Sequence, residues 1–364
     1  MRRKSYKYIF VLNVVLISTV IIVCTAVLDR KNEDNHIRTS LTTPLIYADS
    51  LSADFCADAK GAVIIDALSG AILFEKNAHK RYPMASTTKI MTALAVIENA
   101  DPDKTVEVSP GAVGIEGSSI YLLANETFTI RDLLYGLMLE SGNDAAEALA
   151  IAVFGSSEKC VEYMNKRCSD LGLIDTHFDN VHGLDSENHY TTAYELAYIT
   201  KTAMKNELFR EIVSTKSHVT SGQTPRYFSN HNRLLNMYPC TIGVKTGYTS
   251  KSGRCLVSAA KKDNEEYIAV TLDDPLDWKD HKNMLDFAFE NFKSYEIAPK
   301  DGFTIRVGFL DYAPTEDIYI TTTDEADFSV SYKITVTKES GIVEYSANSM
   351  SLGSFGVERI KALE

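Results

Sequence analysis

Apolar and polar positions follow two different periods along the chain, and each period predicts a type of secondary structure. Residues 61–77, GAVIIDALSGAILFEKN, form two apolar runs joined by a Ser-Gly pair, a pattern typical of a β-hairpin. Residues 129–140, TIRDLLYGLMLE, place apolar side chains at helical spacing behind a threonine that can cap the helix. Strand patterns return at residues 240–249 and 254–272. This order predicts an α+β fold in which helices flank an antiparallel sheet.

The pattern changes again after Pro299. The segments FTIRVGFLD, DIYITTTDE, DFSVSYKITVTK and GIVEYSAN alternate apolar and polar side chains without a helical period. We therefore predict a small C-terminal β domain over residues 300–364, preceded by a larger domain over residues 58–299. Residues 30–57 are polar and aperiodic, which is typical of a tether.

Residues 1–29 predict an export signal. A basic flank precedes about 20 mostly apolar residues, which is long enough to cross a bilayer. The length favours a retained membrane anchor, whereas Cys24-Thr25-Ala26 supplies the small residues of a cleavable signal peptide. Lipid modification of Cys24 is a third alternative. In each case the rest of the chain is expected outside the cytoplasm, anchored to the membrane through the N-terminus or secreted to the cell wall.

Composition and charge exclude several classes of protein. The 364 residues are 45% hydrophobic, enough for one large and one small domain, each with its own core. The net charge is −12, and because the first 28 residues carry four basic residues and no acidic one, −16 remains on the rest of the chain. This acidic balance argues against nucleic acid as a partner. The six cysteines contain no CxxC pair and no metal-like spacing, so we expect no zinc site built on them.

Three short motifs carry the candidate chemistry. Ser86 and Lys89 form a Ser-x-x-Lys pattern at the start of an apolar helical segment. Ser141 and Asn143 form a Ser-x-Asn pattern between two helical segments, and Lys245 begins a Lys-Thr-Gly sequence on an apolar strand. The same patterns recur elsewhere, beginning at Ser156, Ser186, Ser258, Ser346 and Lys251. Only the first set combines the three contexts in this order, which is the signature of penicillin-interacting serine acyltransferases.

The chemistry explains why these residue types are needed together. A serine hydroxyl is a weak nucleophile until a base takes its proton, and Lys89 shares a helix face with Ser86. Lysine can act as that base only when neutral, which requires its pKa to fall by roughly three units, or about 4 kcal/mol. Burial and the cation of Lys245 are the two available causes. Ser141 and Asn143 are expected to orient Lys89 and to relay the proton.

The Lys-Thr-Gly segment predicts a substrate-binding strand. Lys245 and Thr246 are the expected carboxylate binders, and backbone N–H groups near Ser86 and after Gly247 the expected oxyanion hole. Gly247 would let a substrate lie close to the strand. Each part also has an ordinary structural alternative: Ser86 as a helix cap, Ser141 as a turn residue and Lys245 as an edge-strand cation.

These residues resemble the D-alanyl-D-alanine carboxypeptidases, the low-molecular-mass penicillin-binding proteins of the serine peptidase type. The resemblance covers about residues 58–300, through MASTTKIMTALAVIE, LMLESGNDAAEALA, FDNVHGLDSENHYTTAYELA, HNRLL and GVKTGYTSKSGRCLVSAAKK. The stretch DWKDHKNMLDFAF is most similar to the sporulation-associated Gram-positive branch.

The resemblance implies a penicillin-recognising, β-lactamase-like fold and a reaction without a cofactor. The substrate would be the peptidoglycan stem peptide, which loses its terminal D-alanine through an acyl-enzyme on Ser86. β-Lactam antibiotics would be covalent inhibitors, and the N–H groups of Ser86 and Tyr248 would form the oxyanion hole. Some members carry a carboxylate-binding arginine where this chain reads DDPLDWKDH, so that role would fall to Lys245, Thr246 and Arg254.

Other functions stay open at this level. A β-lactamase or a D,D-endopeptidase could use the same serine, although the segment HGLDSENHYTTAYELA resembles the carboxypeptidases rather than class A β-lactamases. A catalytically idle peptidoglycan-binding protein is a third alternative. A zinc-dependent D,D-peptidase is a fourth, with His177, His182, His189 and Asp185 as ligands, although their spacing matches no tight metal motif.

Overall fold

A computed structural model describes Cys56 and residues 58–221, 225–307, 309–323, 330–336, 339–347 and 350–360. All of these belong to one compact unit, Thr39–Glu364. The N-terminal segment predicted over residues 1–29 lies outside the described residues, as does nearly all of the predicted tether. Within the described ranges, no helix is both long enough and apolar enough to span a bilayer.

The described secondary structure begins with a hairpin and ends in a run of strands. The strands are, in chain order, β1 Gly61–Asp66, β2 Ile72–Lys76, β3 Thr105–Glu107, β4 Thr127–Thr129, β5 Ser217–Val219, β6 Tyr227–Ser229, β7 Thr241–Thr249, β8 Gly253–Lys262, β9 Glu265–Leu272, β10 Phe292–Ala298, β11 Ile305–Val307, β12 Leu310–Pro314, β13 Ile318–Thr323, β14 Val330–Val336, β15 Ser340–Ala347 and β16 Met350–Arg359. The helices are α1 Lys89–Asn99, α2 Ile130–Leu139, α3 Asn143–Phe154, α4 Ser157–Asp170, α5 Ala193–Met204, α6 Glu207–Ser214, α7 Leu234–Met237 and α8 Asp277–Asn291, with 3-10 turns at Ala85–Thr88 and Pro110–Ala112.

The first antiparallel sheet has five strands in the order β2-β1-β9-β8-β7. The predicted hairpin is present as β1 and β2, and β1 also pairs with β9, which comes about 200 residues later in the chain. Every residue of β1 is buried, which explains its unbroken apolar run. The prediction of an α+β fold with helices flanking an antiparallel sheet is confirmed.

Two apolar layers cover the two faces of this sheet. Val63 and Ile65 of β1 belong to a core shared with α1, α2, α3 and α5, whereas Ala62 and Ile64 belong to a second core shared with α8. The alternation follows from the two-residue period of a strand. Helix α2 matches its predicted pattern, and the Thr129 hydroxyl accepts a hydrogen bond from its third residue, Asp132, at 3.0 Å.

The C-terminal residues form a second five-stranded sheet in the order β11-β12-β16-β15-β14. Strand β10, which lies before residue 300, pairs with β13, so the pairing of the C-terminal segment begins ahead of the predicted boundary. The buried Asp66 carboxylate at the end of β1 joins the two parts. It accepts hydrogen bonds from the hydroxyls of Ser294 and Thr321 and from two backbone N–H groups of its own turn.

Candidate active site

Ser86 lies in the 3-10 turn that leads directly into α1. The interpretation of Ser86 as a helix cap is wrong, because Thr88 occupies the position before the first residue of α1. The turn is held by its threonines: Thr87 Oγ1 donates to Met84 O at 2.6 Å, and Thr88 Oγ1 donates to Ala85 O at 2.7 Å. Ser86 Oγ is therefore left to face Lys89, whose Nζ lies 3.0 Å away.

Lys89 is fully buried and surrounded by oxygen atoms. Its Nζ donates to Ser86 Oγ at 3.0 Å, to Asn143 Oδ1 at 2.7 Å and to the carbonyl of His182 at 2.5 Å. Burial lowers the pKa of Lys89 well below its ordinary value, and the neighbouring cation of Lys245 lowers this pKa further against the opposing charge of Asp144. A neutral Lys89 can donate to the two carbonyl oxygens and turn its lone pair to the Ser86 hydroxyl.

Ser141 and Asn143 lie in the short turn between α2 and α3. Ser141 is buried, with a left-handed backbone at φ 62°, and Asn143 begins α3. Asn143 Nδ2 donates to Glu116 O at 2.6 Å, which fixes the amide so that its oxygen faces Lys89. The next residue, Asp144, accepts from the N–H groups of Ile120 and Leu122 at 3.0 and 2.9 Å. The start of α3 therefore holds both the lysine and the neighbouring loop.

Strand β7 lies against the Ser86 turn. A Cβ added to Gly247 would lie 3.0 Å from Ser86 N and 3.1 Å from Thr87 N, so the close approach requires glycine. Lys245 is buried, its Nζ donates to Thr246 O at 2.9 Å, and burial lowers its pKa to about 7. Lys245 therefore lies on the edge strand of the sheet, as its structural alternative has it, but its side chain is buried near Lys89 rather than solvated. The side chain of Tyr248, by contrast, is exposed.

A cleft of about 330 Å³ opens over these residues. It is lined by Ser86, Ser118, Ser141, His231, Arg233, Thr246, Gly247, Tyr248, Arg254, Asp277 and Trp278. Lys89, Asn143 and Lys245 of the predicted site residues lie buried close to the cleft, and the other six line it: Ser86, Ser141, Thr246, Gly247, Tyr248 and Arg254. The predicted set is thus brought together in one place.

The sequence prediction missed several lining residues. Arg233 belongs to the HNRLL segment, but the pattern of apolar and polar residues there does not indicate that its side chain reaches the cleft. Asp277 and Trp278 belong to the DDPLDWKDH segment, where only a missing arginine was noted. The two contact the arginine that was predicted: Arg254 Nε and Nη2 bind Asp277 at 3.0 and 2.9 Å, and its guanidinium lies 5.7 Å from the Trp278 ring.

The histidines proposed as zinc ligands do not converge. His189 contacts Thr88 Oγ1 at 2.7 Å and accepts from Asp179 N at 3.0 Å, whereas His177 Nδ1 contacts Asn188 O at 2.8 Å. His182 directs its ring toward Glu147. Among the described residues, no group of three or more histidine, cysteine or acidic side chains is placed to hold a metal ion. The positions of these side chains give the zinc alternative no support.

Comparisons with known proteins point in one direction. The family described as D-alanyl-D-alanine carboxypeptidase matches residues 49–275. The D-alanyl-D-alanine carboxypeptidase DacF of Bacillus subtilis is 34% identical over 295 residues, 76% of either chain. A D-alanyl-D-alanine carboxypeptidase of a Streptomyces species is 37% identical over 223 residues, 56% of this chain and 77% of that protein. Penicillin-binding protein 5 from Haemophilus influenzae has a similar structure, with a TM-score of 0.73 and 26% identity over 86% of this chain and 99% of that one.

Proposed function

Because the chain belongs to the D-alanyl-D-alanine carboxypeptidase family, we propose that Ser86 is its nucleophile and Lys89 the base that activates it. The protein is a serine-type carboxypeptidase, a hydrolase of cell-wall peptides. One observation carries the assignment of residues: the buried Lys89 amine lies 3.0 Å from Ser86 Oγ and has two carbonyl oxygens for its N–H bonds. This arrangement favours a neutral amine whose lone pair accepts the serine proton.

The reaction starts with attack of Ser86 Oγ on the carbonyl carbon of the penultimate D-alanine. Lys89 Nζ takes the hydroxyl proton, and the carbonyl oxygen gains negative charge in the cavity formed by the N–H groups of Ser86 and Tyr248. Gly247 supports this geometry because a side chain there would collide with the Ser86 turn. The proton passes through Ser141 to the departing amine, so the C–N bond breaks and free D-alanine leaves.

Water completes the cycle. It attacks the ester carbonyl of the acyl-enzyme, gives one proton to Lys89, and the Ser86 oxygen leaves with the proton that Lys89 returns. The product is the shortened stem peptide, and serine and lysine regain their starting protonation states. Asn143 holds Lys89 in place during both halves.

The terminal carboxylate of the substrate is assigned to Lys245 and Thr246. The charged amine of Lys245 and the hydroxyl of Thr246 can bind one carboxylate together. Arg254 lines the same cleft and is a further cation for the carboxylates of the stem peptide, in keeping with the DDPLDWKDH segment, which lacks an arginine. β-Lactams would enter the same position and acylate Ser86.

The location of the protein follows from its substrate class. Peptidoglycan lies outside the cytoplasmic membrane, so we place residues 58–364 in the extracytoplasmic space, with residues 1–29 as the membrane anchor or export signal. The division into a catalytic domain over 58–299 and a β domain over 300–364 belongs to the same proposal. Among the described residues, the hydrogen bonds of Asp66 support a fixed arrangement of the two.

D-alanine release tests the assignment. The full-length protein is incubated with a diacyl-Lys-D-Ala-D-Ala peptide, alongside Ser86→Ala and Ser156→Ala variants, with and without a chelator. Ser156 is a matched control, since it begins another Ser-x-x-Lys pattern but caps α4. We expect release by wild type and by Ser156→Ala, in both buffers, and none by Ser86→Ala. Release that survives in Ser86→Ala would overturn the proposal.

A further inference from the structure

A five-residue turn, Asn180–Leu184, separates the Ser86 turn from a second groove on the protein. On one side, the turn touches the nucleophile: Gly183 has φ +94°, and a Cβ added there would lie 2.0 Å from Ala85 O and 2.8 Å from Ser86 N. The carbonyl of His182, in the same turn, accepts the hydrogen bond from Lys89 at 2.5 Å. The position of this turn therefore determines where one of the two carbonyl acceptors of Lys89 lies.

Asn180 holds the turn from within. Its Oδ1 accepts from the N–H groups of Gly183 and His182 at 2.7 and 3.3 Å, and its Nδ2 donates to Leu184 O at 2.9 Å. Three hydrogen bonds from one side chain thus fix the peptide units on both sides of the His182 carbonyl. None of these bonds reaches the substrate cleft, whose lining does not include Asn180.

Glu147 holds the turn from the other side. It lies one helical turn after Asn143 on α3, so the two side chains share a face. Asn143 contacts Lys89 directly, whereas Glu147 Oε1 lies 3.5 Å from His182 Nε2. His182 Nδ1 accepts from Leu184 N at 3.2 Å, which leaves the ring proton on Nε2 and directs it to Glu147. One face of α3 therefore carries both Asn143, which binds Lys89, and Glu147, which lies beside the ring of the residue whose carbonyl is the other acceptor.

The Glu147 carboxylate is itself fixed. Its Oε2 accepts a hydrogen bond from the Ser157 hydroxyl at the start of α4, and its side chain is 13% exposed. Burial raises the pKa of Glu147 and lowers the pKa of His182 to about 4, so the ring is neutral at neutral pH. Glu147 lines a groove of about 820 Å³ that does not include Ser86, and it does not line the substrate cleft.

We propose that Asn180 and Glu147 are positioning residues for the Lys89 base: they fix the His182 carbonyl so that the lone pair of Lys89 points to Ser86. The proposal rests on the proposed function of Ser86 and Lys89. If the turn moves, Lys89 loses an acceptor on one side and gains water, and its lone pair is no longer directed at the hydroxyl. Misplacement of about 1 Å in a catalytic group can lower a rate by roughly 100-fold.

The test compares variants of the full-length protein. Asn180→Ala removes the three internal bonds, Glu147→Ala removes the support of His182, and Glu147→Gln retains an oxygen for His182 Nε2–H. Glu162→Ala is the matched control, because Glu162 lines the same groove but is exposed. The measurements are kcat and KM for D-alanine release, the rate of acylation by a fluorescent penicillin, and thermal unfolding, with active sites counted by the penicillin.

We expect both alanine variants to lower kcat and the acylation rate per active site by about 10- to 100-fold, with KM within about twofold of wild type. Glu147→Gln should recover most of the rate, and Glu162→Ala should match wild type. The acid limb of the rate profile should also move to higher pH, since water reaching Lys89 restores its pKa. The charged groups facing Lys89 from β7 and α3, Lys245 and Asp144, are unchanged in these variants.

Three results for the two alanine variants would overturn the positioning role: rates within about twofold of wild type, an acid limb at the wild-type pH, or an effect on KM alone. A loss explained entirely by fewer folded molecules would do the same. If either alanine variant does not fold, Asn180→Asp decides. Asn180→Asp keeps the two acceptor bonds but turns an oxygen toward Leu184 O, so a wild-type rate and acid limb there would overturn it. If wild type itself releases no D-alanine, the proposed function fails instead.

Discussion

Lys245 should set the alkaline limit of kcat/KM. The residue is 1% exposed, and burial lowers its pKa from 10.5 to about 7. This difference corresponds to roughly 5 kcal/mol against charging the buried amine. In the free enzyme, Lys245 is therefore protonated below pH about 7 and neutral above it. Because only the charged amine attracts a carboxylate strongly, substrate capture should weaken as pH rises through this value.

The pH at which the alkaline decrease begins should differ between kcat/KM and kcat. kcat/KM reports the free enzyme, so it should fall above pH about 7, approaching a tenfold decrease per pH unit. A bound carboxylate favours the protonated amine and raises the pKa of Lys245, so kcat should fall only at higher pH. The acid limb is expected to report Lys89, because the proposed base must lose its proton before it can accept one from Ser86. The profile of kcat/KM should therefore be bell-shaped.

Two perturbations check this explanation. Lys245→Arg introduces a guanidinium that stays charged, so the alkaline limb should move above pH ~10 in the variant. A penicillin and its methyl ester provide the matched pair of reagents, since the ester carries no carboxylate for Lys245 to bind. Acylation by the ester should lack the limb near pH 7 that acylation by the free acid shows. A limb near this pH for both reagents, or constant kcat/KM up to pH ~9, would refute the assignment.

Two further predictions concern stability. Gly183→Ala should lower the free energy of unfolding, measured in urea, by at least about 3 kcal/mol and abolish acylation, because the added Cβ would lie 2.0 Å from Ala85 O. Gly155→Ala is the control, since Gly155 has a similar φ but no atom within 4 Å of the added Cβ. It should lower the free energy of unfolding by only about 1–2 kcal/mol. Asp66→Ala should lower the free energy of unfolding in urea by about 3–5 kcal/mol, because two hydroxyls and two backbone N–H groups lose their acceptor. Asp301→Ala, at an exposed position, is the control and should unfold at the wild-type urea concentration.

The sequence predicted the elements more fully than the contacts between loops. The hairpin of β1 and β2 and the capped helix α2 follow from local periodicity, which reports neighbours along the chain. The three motifs located Ser86, Ser141 and Lys245 because each has its own local context. Arg233 and Glu147 have no such signal. Their roles depend on which loop or helix face meets the cleft or the His182 turn, and side-chain period carries no information about those long-range contacts.

Two glycines show how the Ser86 site combines local and long-range requirements. Gly247 follows the Lys-Thr pair on β7, and Gly183 follows His182 in a separate turn, yet a Cβ on either would lie within 3.0 Å of the same atom, Ser86 N. The backbone of Ser86, the proposed nucleophile, is thus enclosed from two sides by chain segments that have no side chain at the contact. Larger residues at either position would push the strand or the turn away from Ser86. On one side this would open the proposed oxyanion hole, and on the other it would move the His182 carbonyl, which accepts a hydrogen bond from Lys89.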